Sequence, residues 1–243
     1  MSRRRNGAGQ LVGLGLLLLV LVLAVWTSVA SATPVGGTAA NSGAPGFIFN
    51  SGVGFTMRDM EADKDDQIVD EAQSSRFLAK LDVVPSKYID AYGLIGAADF
   101  QLDDADYRGT LATAYGGGAR GELFPLWFYS TPFRVAVDVN YLTFTTEDTL
   151  GGQDIKARYE EYQASALLAY QWQGITPYGG FKYNPTYVTM EGSRNNLVGD
   201  TDYGVFIGLD YFVTPNVFFA GELSIFAETS IFLAVGFTFP ENR

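Results

Sequence analysis

The 243-residue chain contains no cysteine and no histidine. Without cysteine there is no disulfide framework. Without either residue the usual transition-metal ligands are gone, and no metal or cofactor is expected. The missing imidazole also removes the side chain that moves protons near neutral pH, so catalysis is not expected. Positive charge is scarce too: 16 Lys and Arg stand against 27 Asp and Glu. Three of those 16 lie in the first 32 residues, which hold no acid, so the rest carries 13 basic and 27 acidic residues, net −14. Nucleic acid, which demands a basic face, is excluded as a partner. Sustained helical periodicity is also lacking.

The first 32 residues differ from the remainder. Arg3, Arg4 and Arg5 form a basic start, Leu11 to Trp26 is uncharged and mostly apolar, and Ala30-Ser31-Ala32 is a small-x-small pattern. This layout predicts a secretory signal peptide over 1–32, cleaved after Ala32. An uncleaved anchor would need ~20 apolar residues to cross a bilayer, and this run has 16. Residues 33–46, TPVGGTAANSGAPG, read as a flexible leader.

From there on, apolar and polar residues alternate, with turn residues between the runs. In Arg134 to Tyr141 the odd positions are Val, Val, Val and Tyr, and the even ones Arg, Ala, Asp and Asn. Such a pattern puts the two sets on opposite faces of a strand. GLDYFVTPNVFFAGELSIF, residues 208–226, obeys it and still keeps Asp210 and Glu222. Both acids share a face if an odd number of turn residues intervenes, and Thr214-Pro215-Asn216 supplies three. Ten runs follow this rule, near 49–59, 75–84, 88–101, 111–126, 132–146, 157–172, 176–190, 201–213, 217–226 and 230–239. Short connections alternate with longer ones at 60–74, 102–110, 147–156 and 191–200.

A soluble sandwich would also alternate, burying its apolar face. Three features favour a membrane barrel instead. The runs exceed the ~5–6 residues usual in soluble strands and suit tilted membrane strands of ~9–11 or more. The polar face is rich in Gly and Ala, as a narrow lumen needs. Aromatics such as Phe133, Tyr170, Trp172, Tyr178, Phe219, Phe237 and Phe239 collect beside the short turns, as in an interfacial girdle. Only closure satisfies every strand edge in a bilayer. The expected architecture is therefore an all-β, up-and-down antiparallel transmembrane barrel over 47–239, with ten strands and eight as the alternative, followed by an extension at 240–243.

On these residues, GLDYFVTPNVFFAGELSIF followed by SIFLAVGFTF resembles the last three strands of small outer-membrane barrels, the group of outer membrane protein A and the opacity adhesins. The resemblance is strongest over 201–239. It implies an outer membrane of Gram-negative type, contact with lipopolysaccharide, and a C-terminal insertion signal, here Phe237 and Phe239, read by the barrel assembly machinery. Ala234 falls where that group often has Gly, and Pro240 to Arg243 extends past the usual terminal aromatic.

The inward face is expected to carry Arg58, Lys80, Arg120, Arg134 and Lys182 with Asp82, Asp99, Glu122, Asp138, Glu161, Asp210 and Glu222. Unpaired charge in a small lumen is costly, so these should pair into a plug. A narrow pore with a charged constriction is the alternative. A lipid-modifying enzyme is a third and weaker reading. Asp103-Asp104 reads as a solvated pair rather than an acid–base couple. The acidic loop Asp59 to Glu71 has Ile68 where an EF-hand needs Gly, so Asp63, Asp65 and Asp66 read as a solvated rim and not a metal site. Such a rim suits a structural or surface-interaction role toward lipopolysaccharide or an extracellular partner, though no residue specifies a receptor.

Overall fold

The computed structural model describes residues 45–62, 68–86, 88–103, 105–123, 132–150, 152–191 and 196–240. The expected signal peptide, its cleavage at Ala32, most of the leader, and Asp63, Asp65 and Asp66 lie outside the described residues. The strands are β1 (Gly46–Ala62), β2 (Ile68–Ser86), β3 (Ile89–Ala98), β4 (Gln101–Leu102), β5 (Tyr107–Arg108), β6 (Ala112–Leu123) and β7 (Phe133–Leu150). They continue as β8 (Gln153–Tyr170), β9 (Ile175–Tyr183), β10 (Thr186–Met190), β11 (Leu197–Gly199), β12 (Tyr203–Thr214), β13 (Val217–Ile225) and β14 (Thr229–Pro240).

Ten of these strands close a ring in chain order: β1, β2, β3, β6, β7, β8, β9, β12, β13, β14 and back to β1, every pair antiparallel. The eight-strand alternative is therefore set aside. Both ends of the ring lie on the side of the short turns, which is the periplasmic side of such barrels. One of those turns is Gln173-Gly174, with both φ positive and a Trp172↔Ile175 bridge beneath it. Glycine suits that conformation at no steric cost. Between β12 and β13, Thr214 pairs with Val217 and a bulge at Phe212/Thr214 absorbs the extra residue. The odd count needed to keep Asp210 and Glu222 on one face is thus met by a two-residue turn and a bulge.

Two expected loops are strand. β7 and β8 stay paired up to Leu150↔Gln153, through most of 147–156, and β1 and β2 pair through Glu61↔Ile68. Their polar composition belongs to strand that has left the membrane, where the outer face meets water while the inner face stays buried. The run at 176–190 is interrupted at Asn184-Pro185. Pro185 cannot donate to a ladder, and beyond it β10 leaves β12 and pairs with β8 and β11.

The outward face is apolar over the middle of the ring, with Val53, Phe77, Leu81, Ile95, Val139, Leu168, Ile207 and Leu223 exposed. Aromatic girdles bound it. On the periplasmic side stand Phe47, Phe133, Tyr170, Trp172, Phe237 and Phe239, and on the other side Tyr115, Tyr162, Tyr183, Tyr203 and Phe226. The tyrosines cluster, with ring centroids 4.8 Å apart for Tyr141–Tyr162 and 5.1 Å for Tyr183–Tyr203. An apolar belt between two aromatic girdles on a closed barrel is a bilayer-spanning surface. Tyr178 does not belong to the periplasmic girdle as expected. It points inward and is buried.

The barrel interior and its outer cap as candidate site

The inward face is set by strand parity, because alternate side chains of each strand enter the lumen. Nearer the periplasmic end this brings together five buried carboxylates, Asp82, Asp90, Asp138, Asp210 and Glu222, and two buried cations, Lys80 and Arg120. Lys80 Nζ lies 3.0 Å from Asp82 and 3.9 Å from the centre of the Tyr92 ring. Arg120 Nε lies 3.3 Å from Asp138, which also accepts from the Tyr92 hydroxyl at 2.7 Å. The Tyr178 hydroxyl donates to Glu222 at 3.0 Å. Gly208 faces the Tyr178 ring, and a Cβ there would fall 2.1 Å from it. At the mouth, Arg134 and Glu122 pair at 3.3 Å and are only partly buried.

Further up, three cations meet two carboxylates. Arg76 donates to Glu161 and to the Tyr159 hydroxyl, both at 2.9 Å. Glu228, 2% exposed, comes from the short link between β13 and β14. It receives Arg58 Nη2 at 3.3 Å, Lys182 Nζ, and Asn184 Nδ2 at 3.2 Å. Phe226, at φ 82°, turns the chain inward just before it. One side chain thereby ties that link to β1 and to the β9–β10 junction.

Above this layer the barrel outgrows the membrane and closes. β10 and β11 span from β8 to β1, and β4 and β5 run from β2 toward β7, where the Thr110 amide donates to the Glu147 carbonyl at 2.9 Å. The smaller ring so formed encloses an apolar core that includes Met60, Leu78, Phe100, Leu102, Tyr107, Leu142, Phe144, Tyr159, Val188 and Leu197. Phe144 stacks on Tyr159 at 4.7 Å, and the Tyr107 hydroxyl reaches Thr146 at 2.9 Å. The core draws residues from every side of the wall, so it crosses the whole bore.

Of the twelve expected inward charges, Arg58, Lys80, Asp82, Arg120, Asp138, Glu161, Lys182, Asp210 and Glu222 are buried in the lumen, and Glu122 and Arg134 stand at its mouth. Asp99 is a correction. In β3 the inward residues are the even ones, such as Asp90, Tyr92, Leu94 and Ala98, so Asp99 falls on the outer face at the rim. There its carboxylate accepts from the Ser75 amide. Arg76 and Asp90, which the expected set lacks, are buried inward as the parity of β2 and β3 requires. Glu228 had no signal in the alternation, because it sits in a link between strands. Phe237 and Phe239 face lipid near the periplasmic end.

The outer rim is acidic and exposed. A proton shared with the Glu61 carboxyl, and then the hydrogen bond donated by the Thr201 hydroxyl, hold Asp200 below the usual carboxylate range. The hydrogen bond and charge of Glu147, 2.6 Å away, hold Lys156 above the usual lysine range. Among the described residues no group of three or more acids is placed to hold a metal ion.

No family model matches the chain, and no curated protein matches it. Solved structures do. The outer membrane protease OmpT from Escherichia coli is 12% identical, with 80% of this chain and 97% of that one covered, at a TM-score of 0.48. The beta domain of the Bordetella autotransporter BrkA is 8% identical, covering 81% and 100%, at 0.49. The outer membrane protein OprG from Pseudomonas aeruginosa is 13% identical, covering 82% and 97%, at 0.39. The likeness concerns the fold alone and does not single out the group of outer membrane protein A. One expectation is corrected: the similar structures include a protease, so the missing histidine does not make this chain a non-enzyme. It excludes only mechanisms that need an imidazole. The closed ring and lipid-facing belt make the chain a β-barrel of the Gram-negative outer membrane.

Proposed function

We propose that this barrel is a closed, non-conducting outer-membrane protein whose work is done at the cell surface by its cap and acidic rim. The observation that carries the reading is the apolar core across the bore, with Phe100, Phe144 and Tyr159 at its centre. In this mostly apolar layer the Tyr159 and Tyr107 hydroxyls are already bonded to Arg76, Glu161 and Thr146, so it offers an ion little to exchange its hydration against. Of the ion pairs below it, Arg76–Glu161 joins β2 to β8 across the lumen, whereas Lys80–Asp82 lies within β2 and Arg120–Asp138 joins the adjacent β6 and β7.

The rim would meet lipopolysaccharide through divalent cations bridging its carboxylates to phosphates, or an extracellular partner. The C-terminal strand ending in Phe237 and Phe239 would be read by the barrel assembly machinery. The test is single-channel recording of chain 33–243, refolded and inserted in a planar bilayer. Silence from a folded barrel is expected. Steady openings that shift when Arg120 or Glu122 is neutralised would replace this reading with a narrow pore.

A further inference from the structure

We infer that the lumen beneath the cap is a blind half-channel: a path for water and small cations that enters from the periplasmic mouth and ends below the apolar core. This rests on the closed-barrel reading above. The path begins at the partly exposed Glu122–Arg134 pair. It continues along one wall by direct cross-strand neighbours. Arg120 pairs with Asp138, Asp138 with Ser165, and Asn140 with Gln163. The facing wall, near β13, β14 and β1, is packed with Ile48, Phe218 and Phe232. An apolar cluster of Ala136, Leu167, Ala169, Tyr178 and Phe206 lies beside the mouth, so the polar path follows Glu122 and Arg120 on β6 to Asp138 and from there rises to the upper charge layer.

Two independent observations make that wall wet. First, both amide atoms of Gln163, the Ser165 hydroxyl and Asn140 Oδ1 find no hydrogen-bond partner among the described residues, and the Thr56 and Ser224 hydroxyls across the lumen find none either. All five side chains are more than nine-tenths buried and lie on the inward face. Buried polar atoms are costly unless bonded, and water is the partner a polar bore admits. Second, the lower lumen holds five buried carboxylates against two buried cations. A confined path with that excess concentrates small cations and repels anions. The cap then decides where the path stops, because its core is mostly apolar and the Tyr107 and Tyr159 hydroxyls within it are taken by Thr146, Arg76 and Glu161.

The chain has no cysteine, so Ser165→Cys or Ser224→Cys introduces a sole, near-isosteric thiol on either wall. Each variant is refolded and inserted in one orientation into vesicles. A small aminoethyl thiol reagent, cationic at pH 7, is compared with a sulfonate of the same size. Labelling from the periplasmic side is expected, faster for the cation by about tenfold or more, with none from the outer side. Phe100→Ala with Phe144→Ala should add labelling from the outer side. If that pair of changes prevents folding, the native-cap variants still decide. Absence of labelling from either side in a barrel that runs as folded on a gel would overturn the half-channel. So would equal rates for the two reagents, or labelling from the outer side with the cap intact. The two readings fail separately: conductance by the unaltered chain defeats the closed barrel, whereas a silent barrel that resists the reagent defeats only the half-channel.

Discussion

Glu228 is the residue on which the upper lumen depends most. Its carboxylate is shared by Arg58 of β1 and by Lys182 and Asn184 at the β9–β10 junction. Removing one partner of a buried ion pair leaves the other charge without compensation, which typically costs about 3–5 kcal/mol. Glu228→Ala is therefore expected to lower unfolding free energy by that order, measured by denaturant titration of the barrel in detergent. Glu228→Gln, which keeps an acceptor for Asn184, should lose less. A loss near zero for Glu228→Ala would mean that the cluster rearranges without it. The contrast with Asp99 shows what was readable at this scale. Parity places a charge inside or outside wherever the strand is regular, and the parity of β3, inward at Asp90, Tyr92 and Leu94, puts Asp99 outside. Glu228 obeys no parity. Its place comes from a link that folds inward after the positive φ of Phe226, and that conformation leaves no mark on the alternation.

At the scale of elements, the β7–β8 hairpin rises well past the girdle tyrosines and ends in a Gly-containing turn, with Gly152 at φ 83°. Outside the membrane it is held by cross-strand pairs on both faces. One of these is the exposed Glu147–Lys156 pair, which raises the lysine above its ordinary range. A folded value above the unfolded one means that the contribution is complete below the unfolded lysine value, about 10.4. It is lost as pH rises through the raised folded value. Amide exchange at the hairpin tip should therefore follow the intrinsic rate at constant protection up to about pH 10 and accelerate beyond it more than the intrinsic rate does. In Lys156→Gln that excess acceleration should vanish. If both chains respond alike, the pair does not fasten the tip. The hairpin itself was legible only in its lower part. Above the membrane the outer face turns polar, as with Thr145, Glu147, Lys156 and Arg158, and strict alternation of apolar with polar residues ends. A strand with polar residues on its outer face and a small apolar core inside reads like a loop until its partner is known.

For the molecule as a whole, the two solvents of the barrel wall are lipid outside and a mixed lumen inside, and neighbouring residues of one strand belong to different solvents. This explains why the ten-stranded closure could be read from alternation, whereas the cap could not. The cap is built from short pieces, β4, β5, β10 and β11, whose pairing follows from the ring already being closed beneath them. The same division gives a direct test of orientation in β14. Leu233 is exposed on the lipid face, while Ala234, beside it, is buried in the lumen against Phe218 and Phe232. A cation on the lipid face near the bilayer midplane costs about 2–4 kcal/mol. Leu233→Arg should therefore reduce the folded fraction on refolding into lipid vesicles, read as loss of the heat-modifiable band on a gel, and the loss should shrink in thinner bilayers. Val213→Arg, near the periplasmic end of β12, should cost far less, because the penalty falls toward ~0–1 kcal/mol at the interface. Equal losses for the two would mean that the apolar belt does not mark the bilayer, and the exposed surface of Leu81, Ile95, Ile207 and Leu223 would then need a protein partner to cover it.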